Sequence, residues 1–275
     1  MAWYAPFRGR TVLVTGASSG IGRATACAFA AAGAHVVLAA RRRAELDAVA
    51  REAGGTTLVV PTDVTSRDEV AAAIRRAGAE FGRLDVVVNN AGVLLPSLVL
   101  DIAAADLERM LQVNVFGMLY VLQESVPIMQ AQGDGTIVNV ASLASRRGVS
   151  PLGGYSATKF ALVGLTEALR TELHGGPVHV GLVLPGVIET PMVETITHDQ
   201  EFADLWPSAL NMPPSWVVWA IFAVARFKLV EVSVPPGAAT LEKLGALAPG
   251  MADRLAQWAK STSHWLAGAL GSSSS

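Results

Sequence analysis

The sequence predicts an α/β fold, a doubly wound parallel sheet of about seven strands with helices on both faces and a helical tail behind it. Three observations carry this. Short runs of Val, Ile and Leu alternate with longer Ala-rich stretches of helical character from one end of the chain to the other. The apolar runs are continuous and do not alternate with polar residues, as strands covered on both faces require. A glycine turn sits directly between the first apolar run and the first helical stretch.

In chain order, Val12, Leu13 and Val14 place the first strand at 11–15, and the Ala-rich stretch 20–32 is the first helix. Val36, Val37 and Leu38 mark a strand at 34–39, followed by a helix at 43–53. Leu58, Val59 and Val60 mark 57–61, and a helix follows at 66–81. The run Val86, Val87, Val88 lies in a strand at 84–89, ahead of one long helical segment at 101–130. Strands at 135–141 and 178–184 flank a helix at 154–174, and a last helix at 213–227 leads to a strand at 229–234. Strand and helix alternate throughout, so the strands run parallel through right-handed crossovers. Residues 191–212 mix Thr, Asp, Pro and aromatics and suit a mobile lid better than a packed crossover. The most apolar run, 216–225, is about half of the roughly 20 residues a membrane span needs, and Arg226 and Lys228 close it, so it reads as a buried or interfacial helix. After Pro235 and Pro236, Leu241, Leu244, Leu247, Met251, Leu255, Trp258, Trp265, Leu266 and Leu270 recur at helical spacing. The expected organisation is an α/β domain at 1–235 and an amphipathic helical extension at 236–275, packed on or near it and frayed from Gly271 onward.

Composition narrows the function classes. Of 275 residues, 51% are hydrophobic and 16% charged, enough apolar surface to offset the entropy of ordering, which excludes disorder for most of the length. Lys and Arg number 21 against 23 Asp and Glu, a net charge of −2 with no basic stripe, so nucleic acid is not an expected partner. Cys27 stands alone and makes no internal disulfide. With no apolar leader before the first strand, the expected location is cytoplasmic. His35, His174, His179, His198 and His264 are scattered without ligand spacing, so no metal site is expected. No Gly-x-Ser-x-Gly elbow follows a strand, which argues against a serine hydrolase.

The glycine turn reads Thr15-Gly16-Ala17-Ser18-Ser19-Gly20-Ile21-Gly22. Between a strand and a helix in a βαβ unit, such a turn brings backbone N–H groups to a phosphate at the helix start, the arrangement of a Rossmann-type dinucleotide site. Tyr155 and Lys159 lie four apart on a predicted helix and share a face. Bringing a tyrosine from near 10 to about 7 takes roughly 4 kcal/mol of preference for the phenolate. A positive charge about 4 Å away at an effective dielectric of about 20 supplies roughly that much. Ser142 ends the fifth strand, on the side of a parallel sheet where ligands bind.

The spacing Thr-Gly-x-x-x-Gly-x-Gly is followed in order by Asp63-Val64, Asn89-Asn90-Ala91-Gly92, Asn114, Ser142, Tyr155-Ser-Ala-Thr-Lys159 and Pro185-Gly186. Over residues 8–234 this set resembles the short-chain dehydrogenase/reductase family. The resemblance implies that Gly16, Ser18, Ser19, Gly20, Ile21 and Gly22 cradle the cofactor phosphates, and that Asp63 and Val64 hold the adenine. It further implies that Asn90, Ala91 and Gly92 bring backbone to the adenosine ribose. Pro185 and Gly186 lead to Ile188 and Thr190, which hold the nicotinamide carboxamide, while Tyr155 and Lys159 reach the nicotinamide ribose. Asn89 steadies the sheet. The catalytic residues implied are Asn114, Ser142, Tyr155 and Lys159: Tyr155 exchanges the proton, Ser142 bonds the substrate oxygen, Lys159 lowers the tyrosine pKa, and Asn114 holds a water linking the lysine to solvent.

At the end of the second strand an acidic residue would bond the ribose hydroxyls of NAD, but this chain has Ala40 followed by Arg41, Arg42 and Arg43. Guanidinium forks suit a 2′-phosphate, so NADP(H) is expected over NAD(H), with Arg41 better placed than Arg42 and with Arg43 read as a solvated charge. Where NADP-preferring relatives often carry a second basic residue, before the middle glycine, this chain has Ser19. The substrate pocket is expected to be edged by Val93, Leu94, Leu95 and Pro96, by Leu143, Pro151, Leu152 and Gly153, and by Met192, Phe202, Leu205 and Trp206. Ser142, Leu143, Leu152, Tyr155, Met192 and Trp206 are the substrate contacts named from this set. Such walls suit a hydrophobic ketone or aldehyde and its alcohol, the work of a carbonyl reductase or alcohol dehydrogenase. The competing readings are a scaffold relative with epimerase or lyase chemistry and an NADP-binding sensor without turnover. The resemblance implies a homodimer or homotetramer built through the helices at 101–130 and 154–174. The tail departs from the family pattern. Packing or subunit contact is expected of it, with membrane-surface contact the weaker option.

Overall fold

The computed structural model describes residues 7–197, 211–245 and 250. Strands β1 (Thr11–Thr15), β2 (His35–Ala40), β3 (Thr57–Pro61), β4 (Val86–Asn89), β5 (Gly135–Val140), β6 (Val178–Pro185) and β7 (Glu231–Val234) form one parallel sheet in the order β3-β2-β1-β4-β5-β6-β7. The connecting helices are α1 (Gly20–Ala31), α2 (Arg43–Ala53), α3 (Arg67–Phe81), α4 (Ala104–Leu111), α5 (Gly117–Gln132) and α6 (Gly153–Glu172). After β6 come α7 (Pro191–Thr197), α8 (Pro214–Phe227) and, past β7, α9 (Ala238–Gly245). The doubly wound parallel class and the C-terminal helix are both present.

Because side chains alternate across a strand, each continuous apolar run feeds two cores. Val12, Val14, Val36, Leu38, Val86 and Val88 meet α1, α2 and α8 on one face, with Phe29 stacked on Phe222 at 4.2 Å between centroids. Leu13, Val37, Val87 and Ile137 point the other way, onto α3, α5 and α6. This double coverage explains why the central runs do not alternate with polar residues, whereas the edge strand β7, Glu231-Val232-Ser233-Val234, does.

Several boundaries differ from those the sequence predicts. β4 starts at Val86 and not at 84, because the Gln132 side chain both accepts from Leu84 N and donates to Leu84 O, each at 2.8 Å, satisfying backbone that would otherwise join the ladder. β7 starts at Glu231 because Lys228 takes a left-handed φ of 53° to end α8, so the chain turns before it can pair. The single segment expected at 101–130 is a short 3₁₀ turn (Val99–Asp101), then α4, a π-helical turn (Gln112–Phe116) and α5. Of the lid expected at 191–212, the described part begins as α7. Met212 at its far end is pinned to the β6 exit, Met212 N donating to Val187 O at 2.9 Å and its carbonyl accepting from Glu189 N at 3.0 Å. Residues 198–210, with His198, Phe202, Leu205 and Trp206, lie outside the described residues, as do Leu247 and the tail beyond Gly250. Among the described residues no helix is long and apolar enough to cross a membrane.

Candidate functional site

Strand order reverses at β1, whose neighbours β2 and β4 carry the chain away in opposite directions, and the crevice this opens at the carboxyl ends holds the glycine turn. Thr15 stitches the two sides together: its hydroxyl accepts from Asn90 N at 3.0 Å and Ala91 N at 3.1 Å, while Asn90 Nδ2 donates to Thr15 O at 3.0 Å. Gly16 has φ +66°, and a Cβ there would lie 2.9 Å from Ala91 Cα. A Cβ on Gly22 would lie 2.2 Å from Gly16 O, so the turn closes on α1 only without a side chain. Ser19 is the N-cap of α1 but makes no side-chain cap bond, and no acidic residue occupies the first turn. The leading amides of the helix are thus left for an anion, which fits a phosphate.

A cavity of about 240 Å³ surrounds this turn. Ser18, Ser19, Gly20 and Ile21 line one side, and Asp63, Val64, Asn90, Ala91 and Gly92 another. Arg41 and Arg42 both border it, but Arg42 is the one that touches the turn, donating from Nη2 to Ser18 Oγ at 3.2 Å, and it also pairs with Glu45 at 3.3 Å. Arg43 faces Asp47 at 3.7 Å and stays exposed. Asp63 accepts from Thr65 N at 3.0 Å and Thr65 Oγ1 at 2.8 Å, which sets the carboxylate. Asn89 is built into the sheet, donating to Asn139 Oδ1 at 2.9 Å.

A larger cavity of about 560 Å³ adjoins it, and Ile21, Asn90, Gly92, Thr190 and Met192 line both. Ser142, Tyr155 and Lys159 reach the larger cavity from β5 and α6. Ser142 Oγ accepts from Ala144 N at 3.1 Å, capping the 3₁₀ turn Leu143–Ser145, and donates to Pro185 O at 3.4 Å. Lys159 Nζ lies 5.6 Å from the Tyr155 ring centroid and donates to Val140 O at 3.1 Å. An ammonium has three donors, so among the described residues this buried group leaves two for a polar ligand. Burial pushes the Tyr155 phenol up to about 12, against which the Ser142 hydroxyl pulls down, and burial brings Lys159 down to about 8. The protein's own groups thus keep the Tyr155 phenol protonated near neutral pH.

Asn114 stands behind Gly92 and is fully enclosed. Its Oδ1 accepts from Val93 N at 2.8 Å, and its Nδ2 donates to Val93 O and to Thr158 Oγ1, each at 2.9 Å. It sits on the π-helical turn, which widens the helix where the side chain must reach across to β4's exit and α6. Of the remaining residues named from sequence, Leu94, Leu143, Leu152, Met192, Pro185, Gly186, Ile188 and Thr190 line the larger cavity. Val93, Leu95, Pro96, Pro151 and Gly153 do not line it. The structure adds Val149, Met212, Arg147 and Glu242, none of which carries a motif. The spacing of Leu241 and Leu244 pointed to a helix there, and only the fold shows that Glu242 turns inward.

A family model described as short chain dehydrogenase matches residues 10–201. An uncharacterised oxidoreductase of Staphylococcus haemolyticus is 38% identical over 229 residues, covering 83% of this chain and 97% of that protein. The 3-oxoacyl-[acyl-carrier-protein] reductase of Thermotoga maritima is 37% identical over 191 residues, covering 68% of this chain and 78% of the relative. Among solved structures, a short chain dehydrogenase/reductase from Burkholderia phymatum in complex with NAD superposes with a TM-score of 0.82 at 27% identity, covering 89% of this chain and 95% of its own.

Proposed function

Because the chain belongs to the short chain dehydrogenase family and is an oxidoreductase of that kind, we propose that it interconverts a hydrophobic ketone or aldehyde and its alcohol with NADP(H). The observation that carries this is the continuity of the two cavities, with Ser142, Tyr155 and Lys159 in the larger one and the glycine turn in the smaller. The nicotinamide, when bound, supplies the hydride for reduction and receives it in oxidation. Ser18, Ser19, Gly20, Ile21 and Gly22 hold the phosphates at the start of α1, and Asp63, Val64, Asn90, Ala91 and Gly92 hold the adenosine end. Pro185, Gly186, Ile188 and Thr190 fix the far end of the dinucleotide. Ser142 donates to the substrate oxygen, and Tyr155 gives its proton to that oxygen in reduction and takes it back in oxidation. Lys159 directs its free N–H donors at the ribose and steadies the charge left on the phenol. Asn114, already bonded to Val93 and Thr158, holds the lysine side of the site in place and connects it to solvent through water.

NADP(H) over NAD(H) is supported by Ala40, which offers no carboxylate at the end of β2, and by Arg41 and Arg42 on the cavity wall. The Burkholderia phymatum relative is described with NAD, so the choice rests on this chain's own residues. Leu143, Leu152 and Met192 supply apolar wall for the substrate body. Residues 1–235 form the catalytic domain in this reading and 236–275 an extension. The assembly is a cytoplasmic homodimer or homotetramer, consistent with Phe116 and Phe160 standing exposed on the two long helical segments. The test follows absorbance of NADPH and of NADH separately with a panel of bulky ketones and aldehydes. Oxidation of NADPH in preference to NADH supports the reading. Tight NADPH binding with no turnover across the panel overturns it in favour of a sensor.

A further inference from the structure

Among the described residues, two charged side chains besides Lys159, Arg147 and Glu242, face the larger cavity, and both adjoin one knot of ion pairs. Glu231, at the start of β7, pairs with Arg146 and with Lys243, the latter at 3.0 Å. Arg146 also reaches Glu167 of α6 at 3.5 Å. The chain neighbours of these two cations, Arg147 and Glu242, line the cavity of about 560 Å³. Glu242 enters from α9, a helix seated by Ala239, which is buried in the core, while Leu241 and Leu244 stand on its exposed side. Arg147 is already engaged in a contact of its own, whereas the Glu242 carboxylate has no hydrogen-bond partner among the described residues. Glu242 is half-buried where it borders a mostly apolar wall, and a carboxylate there gains from a ligand that brings a donor to it.

We propose that Glu242 is a specificity-determining residue, receiving a hydroxyl or ammonium group carried on the substrate's hydrophobic body away from the carbonyl. The substrate class narrows accordingly to hydroxylated or amino ketones and aldehydes and their alcohols. This rests on the reading that Ser142 and Tyr155 hold the carbonyl, and it gives α9 a role that the strands and crossover helices do not provide. The Glu231 knot ties α9 to the end of the 3₁₀ turn that follows Ser142, so the carboxylate and the reacting hydroxyls border the same cavity.

The experiment uses matched ketones of one carbon skeleton, bare or bearing a hydroxyl or an ammonium group at increasing distance from the carbonyl. The full chain and its Glu242→Gln and Glu242→Leu variants are assayed with NADPH for kcat/KM. The same ketones are titrated by calorimetry in the presence of NADP. The wild type is expected to favour a donor-bearing ketone over its bare partner by about 10–100-fold, the range for a hydrogen bond to a charged group. Glu242→Leu loses that factor while turning over the bare ketone as well as the wild type does, and Glu242→Gln retains part of it for the hydroxyl and none for the ammonium. Equal treatment of both partners by the wild type overturns the proposal, as does a Glu242→Leu loss that is the same for both. If no ketone is turned over, the redox reading fails, and the calorimetric preference still decides whether Glu242 selects a donor.

Discussion

Replacing Lys159 by methionine should stabilise the protein near neutral pH even though it removes a group to which the proposed mechanism assigns a role. Lys159 is buried at 4% exposure and among the described residues its one hydrogen-bond acceptor is Val140 O, so burial lowers it from 10.5 to about 8. The folded chain therefore holds fewer protons than the unfolded chain between about pH 8 and 10.5, and stability rises with pH across that window. Below it, keeping the buried ammonium charged costs the folded state roughly 3 kcal/mol, from about 1.4 kcal/mol per tenfold change in proton affinity. Methionine matches the length of the stem without the charge. It leaves Val140 O without this donor, a loss of about 1 kcal/mol. The net expectation for Lys159→Met is a gain of about 2 kcal/mol near pH 7 that shrinks to about zero near pH 9.5. Urea unfolding of both proteins at the two pH values measures this. Cys27, raised by burial, is the same in both proteins, and Tyr155, raised to about 12, stays protonated across this window with or without the lysine charge. A variant less stable than wild type near pH 7, or a difference independent of pH, would refute the reasoning that burial dominates the lysine.

Two further outcomes follow from contacts at the glycine turn. Gly22→Ala places a methyl 2.2 Å from Gly16 O and 2.6 Å from Asn90 Nδ2, so thermal unfolding should show a loss of about 1–3 kcal/mol, with dinucleotide affinity in titration falling alongside it. Arg42→Ala removes the guanidinium that contacts Ser18 and should lower kcat/KM for NADPH by about 10–100-fold while leaving NADH within a few-fold, read by steady-state kinetics with each cofactor.

The sheet was legible because a strand covered on both faces needs apolar side chains at every position, and Val12 to Val14 and Val86 to Val88 state that directly. The ends of strands were less legible, since β4 is trimmed by the amide of Gln132, 48 residues away in the chain. The glycine turn and the Tyr155–Lys159 pair carry their geometry locally, through backbone φ at Gly16 and a helical spacing of four, so the sequence alone places them. The π-helical turn is different. Asn114 must satisfy Val93 and Thr158 at once, and no local pattern encodes two distant partners. The Arg42 contact with Ser18 was hidden for a similar reason, because side-chain reach across the crevice is a tertiary fact. Met212 and Glu242 reach the cavity only through the exits of β6 and β7, and Leu241 and Leu244 told of a helix without saying which face looks inward.

The proton donor is the central claim, and Tyr155→Phe tests it most directly, with NADPH binding and ketone-dependent NADPH oxidation measured on the same preparation. The side chain keeps its packing and loses one hydroxyl, so binding should stay within a few-fold of wild type while turnover drops by at least about 100-fold, the lower range for a positioned general acid. Turnover that survives in Tyr155→Phe would contradict the assignment and move the acid to another group in the cavity.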